Sequence, residues 1–135
     1  MSKKEVRNFL VIENRSLNHS NFLIKLKSDE KIPELFPGQF VNIDIPEQNE
    51  VFLRRPFSIF EVDYSENTIS LIVKILGKGS KKLTEIGLGK ILNLVLPLGK
   101  GFTLPGKADK VLLVGGGSGM APMLFLAKIS GKTLL

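Results

Sequence analysis

Between Glu5 and about Leu104 the chain alternates short apolar stretches with turn residues, the pattern of an antiparallel barrel or sandwich in which each strand turns one face to a core. Asn21–Lys27 sets Phe22, Ile24 and Leu26 on one face and Leu23, Lys25 and Lys27 on the other, so one side is predicted to be buried. Pro37-Gly38 predicts a turn that releases a strand over Gln39–Ile45, followed by a polar loop from Pro46 to Glu50. Two further strands are predicted. Thr68–Ile75 directs Ile69, Leu71, Val73 and Ile75 one way and Ser70, Ile72 and Lys74 the other, and Ile91–Leu96 runs up to P-L-G-K-G-F. Between them one short helix is predicted to start near Ser80 as its N-cap, with Leu83 and Ile86 turned inward.

After P-G-K-A-D the grammar changes to a wholly apolar strand, Val111–Val114, then a glycine run, then an apolar helix from Pro122 to about Ile129. A parallel α/β domain begins this way. Pro122 suits a first helical turn, where its missing N–H costs nothing, and Gly131 suits a helix end. One strand and one helix cannot close a core, so residues 1–105 are read as a β-barrel domain and residues 106–135 as the start of an incomplete Rossmann-like domain. The chain is therefore expected to be a C-terminally shortened form of a longer protein.

Composition removes several function classes. The chain has no cysteine, which excludes disulfides, thiol catalysis and cysteine-ligated iron-sulfur or zinc sites within these residues. No apolar run approaches the roughly 20 residues of a membrane-spanning helix. The start, M-S-K-K-E-V-R, does not read as a secretory signal, so a cytoplasmic location is expected. The formal charge of +6 comes from dispersed lysines, and by itself it does not choose between nucleic acid, an acidic partner and a phosphate-bearing cofactor. His19, within S-L-N-H-S-N, reads as a solvated loop residue and is given no role.

Two short segments carry candidate chemistry. In Leu53-Arg54-Arg55-Pro56-Phe57-Ser58, paired arginines call for an anionic partner, the ring of Phe57 offers a flat face, and the Ser58 hydroxyl can meet a ring nitrogen. That set suits a flavin nucleotide; an edge strand with solvated arginines and a core phenylalanine is the alternative. Gly77-Lys78-Gly79-Ser80 stands between a strand and a helix start, where backbone amides can receive a pyrophosphate, or where it is simply a glycine turn with a capping serine.

The succession P-G-Q-F, L-R-R-P-F-S, G-K-G-S, P-L-G-K-G-F and V-L-L-V-G-G-G-S-G-M-A-P resembles the ferredoxin-reductase superfamily along essentially the whole chain. The doubled arginine and the forms of the second and third motifs are most similar to one branch, the electron-transfer subunits of two-subunit, NAD-linked dihydroorotate dehydrogenases. The resemblance implies a mainly β fold, a ferredoxin-reductase-type Greek-key antiparallel barrel with one short helix followed by the first βα unit of a Rossmann-like domain. It also implies FAD as cofactor, with Arg55 on its pyrophosphate, Pro56 shaping the turn, and Phe57 and Ser58 near the isoalloxazine ring. Ile72, Val73 and Lys74 would run along the cofactor, Gly79 and Ser80 would contact its phosphates, and Gly115 and Gly117 would belong to a partial NAD site. Members of the branch carry a two-iron, two-sulfur cluster whose cysteines have no counterpart in this chain. Phe57 and Lys100 stand where tyrosine or isoleucine, and asparagine, are more usual.

The implied function is electron transfer in pyrimidine biosynthesis, from a catalytic dihydroorotate dehydrogenase subunit as partner, through flavin, to NAD. No side-chain acid or base is needed for that, so no catalytic residue is assigned. Ferredoxin–NAD(P) reductases and the small subunits of sulfide dehydrogenases or hydrogenases share the motifs and form the nearest alternative. A basic barrel binding nucleic acid fits less well, because the single tyrosine, the absence of tryptophan and phenylalanines at apolar strand positions do not supply a stacking platform. An inactive remnant would instead expose Leu112, Leu113, Leu124 and Phe125 as an adhesive patch.

Overall fold

The computed structural model describes residues 3–46 and 53–131. Six strands form an antiparallel closed barrel: β1 (Glu5–Ser16), β2 (Asn21–Lys27), β3 (Phe40–Ile43), β4 (Arg55–Asp63), β5 (Thr68–Lys74) and β6 (Ile91–Leu98). Around the barrel they follow the order β1-β2-β5-β4-β3-β6. Strands β3, β4 and β5 are successive neighbours and β6 returns beside β3, which is Greek-key connectivity. The long β1 closes the barrel, pairing with β6 through Glu5–Leu10 and with β2 through Leu10–Ser16. A bulge between Val11 and Glu13 lets one strand serve both neighbours, because the extra residue bends and twists it.

The interior follows the period of two. Phe9 and Val11 from β1, Ile24 and Leu26 from β2, Val41 and Ile43 from β3, Ile59 from β4, Ile69, Leu71 and Val73 from β5, and Leu92, Leu94 and Leu96 from β6 are each at most 1 % exposed. The faces expected for β2 and β5 are the observed ones, although Ser70 and Thr68 on the outer side of β5 are buried as well. Ser70 stands opposite Glu61 of β4, and Glu61 is ion-paired with Lys128 of a helix that packs across β4.

Two helices form. Helix α1 (Lys78–Thr84) drops Leu83 into the core, and its C-terminal end is fastened to β1 by the Asn14 amide, which donates to the Thr84 and Ile86 carbonyls at 3.0 and 2.9 Å. Its N-cap is Gly77 rather than Ser80, which is the third helical residue. Helix α2 (Met120–Ser130) follows a single 3₁₀ turn at Gly117–Gly119 and ends at Gly131, whose φ of 65° is the left-handed stop expected of it. Phe125 of α2 is buried with the barrel core, so the adhesive patch expected there does not include it, whereas Leu112 and Val114 are 86 and 79 % exposed.

The strand expected over Val111–Val114 does not form. A parallel strand exists through its neighbours' hydrogen bonds, and none of the described strands lies beside this segment. Strand β3 is also shorter than Gln39–Ile45, because Gln39 belongs to a turn, its side-chain oxygen accepting from the Phe36 N–H at 2.9 Å. Most of the polar loop expected after Pro46 lies outside the described residues.

The β4–β5 hairpin turns on Asn67, at φ 53°. Its carbonyl accepts from the Ser28 N–H at 2.9 Å and its side-chain oxygen from the Ile32 N–H at 3.3 Å, so one residue anchors the segment between β2 and β3. In the same turn the Ser65 hydroxyl, and then the Glu66 and Ser65 amides, hold the exposed Asp63 carboxyl below the usual carboxylate range. Asn67→Ala is expected to destabilise the fold by about 1–2 kcal/mol, through left-handed backbone strain and the lost side-chain bond. Asn67→Gly should cost less, since only the bond is lost; urea unfolding of the two variants checks the order.

Candidate functional site

The barrel is not paired all round. Strands β4 and β5 pair from Asp63↔Thr68 to Glu61↔Ser70 and, past a bulge between Glu61 and Ile59, at Ile59↔Leu71, where the ladder stops. Beyond it, Arg55–Ser58 of β4 stay paired with β3, and Ile72–Lys74 of β5 stay paired with β2. Each strand keeps its outer partner while the two facing flanks separate into a seam. Backbone N–H and C=O groups along such a flank need partners, so the seam offers a row of regularly spaced donors and acceptors.

The residues expected to bind a cofactor collect at this seam. Arg55, Pro56, Phe57 and Ser58 form its β4 side and Ile72, Val73 and Lys74 its β5 side. Strand β5 then leads through Leu76 and Gly77 directly into α1, which carries Gly79 and Ser80 in its first turn. Phe57 is half-buried with one side against the core, Ser58 is half-buried, and Val73 is wholly internal. Val73 can therefore meet a ligand only through its backbone.

The two arginines, which together call for an anionic partner and of which Arg55 is the one expected on a pyrophosphate, differ in their contacts. Arg54 Nη1 donates to the Asn93 carbonyl at 3.0 Å and Nη2 to the Asn93 side-chain oxygen at 2.5 Å, so its fork is turned to the barrel. Arg55 makes one long contact among the described residues, Nη1 to the Leu53 carbonyl at 3.4 Å. Its fork of donors remains available to an anion.

The Gly77–Ser80 segment is a helix start, with one correction. The Ser80 hydroxyl accepts from the Leu76 and Gly77 amides at 2.8 and 3.1 Å and donates to the Gly77 carbonyl at 3.1 Å. It closes its own turn, so Ser80 can offer a phosphate only its backbone. The first intrahelical bond is Lys81 N–H to Gly77 O at 3.0 Å, and the preceding first-turn amides have no helical carbonyl to meet.

The two glycines of the second unit also differ. Gly117 joins Ser118 and Met120 in lining a groove of about 310 Å³ against the outer face of β5, where Ile72 and Lys74 meet Phe60, Asn18 and Asn21. Gly115 does not line that groove. A Cβ there would stand 3.0 Å from the Gly119 carbonyl oxygen, so Gly115 lets the loop pack tightly against the start of its own helix.

Two motifs form one structural unit that residue patterns alone did not connect. The Gln39 side chain, 3 % exposed, donates to the Gly99 carbonyl at 3.3 Å, and the Phe102 N–H donates to the Pro37 carbonyl at 2.8 Å. A Cβ on Gly99 would lie 2.9 Å from the Phe40 ring, and one on Gly101 would lie 2.8 Å from Phe36 Cβ. P-G-Q-F and P-L-G-K-G-F thus interlock, and they do so beside the seam, since Phe40 pairs with Ser58. The presence of glycine and phenylalanine together in both motifs was the available signal.

Taken together, the seam supplies a guanidinium, a half-buried ring, a hydroxyl, free strand flanks and a helix start, a set suited to a ligand that is flat at one end and anionic at the other. Among the described residues no group of three or more histidine, cysteine, aspartate or glutamate side chains could hold a metal ion, and no helix is long and apolar enough to cross a membrane.

Comparison with known proteins points the same way. A family model described as an oxidoreductase FAD-binding domain matches residues 8–102. The electron transfer subunit of dihydroorotate dehydrogenase B (NAD(+)) from Fusobacterium nucleatum is 37 % identical over 130 residues, 95 % of this chain and 50 % of that protein. Its namesake from Caldanaerobacter subterraneus is 40 % identical over 119 residues, 87 % of this chain and 45 % of that protein. Among solved structures, a ferredoxin reductase in carbazole 1,9a-dioxygenase superposes with a TM-score of 0.81 at 27 % identity, over 94 % of this chain and 40 % of that one. An NADH-dependent reduced ferredoxin-NADP oxidoreductase gives 0.80 at 28 % identity, over 91 % of this chain and 44 % of that one. The chain spans about half the length of the curated relatives it matches.

Proposed function

The chain belongs to the family of oxidoreductase FAD-binding domains, and from that premise we propose that the seam between β4 and β5 holds FAD for electron transfer. The observation that carries the reading is the end of the β4–β5 ladder at Ile59↔Leu71, beside Arg55 with no protein anion on it among the described residues. These features fit FAD. Arg55 grips the pyrophosphate, assisted by the backbone amides of Gly79 and Ser80 at the start of α1. Phe57 and Ser58 meet the isoalloxazine ring, Pro56 fixes the backbone between them and Arg55, and the Ile72–Lys74 backbone runs along the cofactor.

A bound flavin converts between two-electron hydride chemistry and one-electron transfer, and the protein's part is to bind, orient and tune it. The cation at Arg55 offsets part of the diphosphate charge, and the half-buried Phe57 keeps water from one side of the ring. The loop around Gly115–Gly117 contributes part of an NAD site. A two-iron, two-sulfur cluster does not fit this chain, which has no cysteine to ligate one.

The names of the relatives, electron transfer subunits of dihydroorotate dehydrogenase B (NAD(+)), support a finer proposal, that electrons pass from a catalytic dihydroorotate dehydrogenase subunit through the flavin to NAD; pyrimidine biosynthesis in the cytoplasm is the setting proposed with it. The reductase neighbours keep a second client in view, a ferredoxin-type partner. Incubating the purified chain with FAD, desalting it thoroughly and recording the visible spectrum tests the central reading. Retained flavin absorbance with bands displaced from those of free FAD is the expected result, and a colourless protein would overturn it. Co-elution with a dihydroorotate-oxidising subunit, rather than with a ferredoxin, separates the two clients.

A further inference from the structure

We infer that Arg54 is a positioning residue for the cofactor site, a strut that holds the start of β4 so that Arg55 and Phe57 present correctly to the ligand. The inference rests on the FAD reading and extends it by dividing the doubled arginine into one ligand-facing and one supporting member. Arg54 immediately precedes β4, whose first residue pairs with Ile43 at the end of β3. Its guanidinium reaches past β3 to β6 and takes both oxygens of Asn93.

Asn93 is a junction. Its carbonyl also accepts from the Asp44 N–H at 2.9 Å, just beyond the last β3–β6 pair at Ile43↔Leu94, and its amide donates to Asn8 of β1 at 2.8 Å. Arg54 thereby supplies one further cross-link beyond the β3 ladder, and a single network ties the entry of β4 to β3, β6 and β1. Among the described residues Arg55 has no comparable anchor. Its one contact there is to the Leu53 carbonyl, on the same short segment, so the direction of its guanidinium depends on how firmly Leu53 and Arg54 are held. A bidentate contact to Asn93 does that, because the planar fork fixes orientation as well as distance.

The test compares Arg54→Ala, Asn93→Ala, the double variant, Asn93→Asp and Arg55→Ala by FAD titration, and follows amide hydrogen exchange at the start of β4 without FAD. Arg54→Ala is expected to weaken FAD binding about tenfold and Asn93→Ala by less, because the backbone carbonyl at position 93 still accepts from Arg54, while the double variant should bind no more weakly than Arg54→Ala alone, as for members of one contact. Asn93→Asp should retain near wild-type affinity, since a carboxylate still accepts the fork. In the FAD-free protein, Arg54→Ala should accelerate exchange at Arg55 and Phe57, while Arg55→Ala leaves exchange at Phe57 unchanged. Additive effects of Arg54→Ala and Asn93→Ala would overturn the inference, as would unchanged FAD affinity in Arg54→Ala, whatever its exchange rate. The FAD reading fails separately: it falls if Arg55→Ala binds FAD as the wild type does, even where Arg54→Ala accelerates exchange.

Discussion

Arg55→Ala is expected to weaken FAD binding by about ten- to a hundredfold while leaving the unfolding midpoint near that of the wild type. A hydrogen bond to a charged group contributes about 1.5–3 kcal/mol, and each 1.4 kcal/mol is a factor of ten in affinity. The fold should not respond, because among the described residues the side chain makes only the 3.4 Å contact to the Leu53 carbonyl. Arg55→Lys should fall between the two, keeping the charge but losing the fork. Lys4→Ala, at the exposed start of the chain, is the control and should bind as the wild type does. Equal affinities for Arg55→Ala and Lys4→Ala would remove Arg55 from the site.

The second large effect concerns stability. Gly99→Ala is expected to cost about 2–4 kcal/mol, measured by denaturant unfolding, because two penalties coincide there. The backbone sits at φ 80°, which costs an L side chain about 1–2 kcal/mol, and the new methyl group would lie 2.9 and 3.0 Å from two atoms of the Phe40 ring. Gly89 separates the two terms: it has φ 82° with nothing within 4 Å of a Cβ, so Gly89→Ala should carry the backbone penalty alone. Similar losses at both sites would mean that Phe40 yields freely and that the interlock of P-G-Q-F with P-L-G-K-G-F is loose.

The inward faces of β2 and β5 were legible because burial in a half-covered strand follows a period of two, and Ile24, Leu26, Ile69, Leu71 and Val73 obey it. The position of α2 was legible from Pro122 and Gly131, residues whose backbone restrictions punctuate helices in any context. Features that depend on distant partners were not. Nothing local separates Arg54 from Arg55; only Asn93, on a strand brought alongside by the barrel, distinguishes them. Ser80 carries both the composition of an N-cap and that of a back-bonding third residue, and the structure selects the second. Val111–Val114 has the apolar run of a central strand but no ladder among the described strands. The seam residues were recognised as motifs, whereas the feature on which the proposed ligand site rests, the end of the β4–β5 pairing, is a matter of register that single segments do not encode.

The most direct measurement is the change in backbone amide chemical shifts when FAD is titrated into the isotope-labelled chain. The expected result is a saturable set of shifts at Arg55, Phe57, Ser58, Ile72, Val73, Lys74, Gly79 and Ser80, with little change around the groove formed by Lys82, Ile86, Lys90 and Ile91 at the C-terminal end of α1. Shifts confined to that second groove, or no saturable shifts at all, would contradict the assignment of the β4–β5 seam as the flavin site.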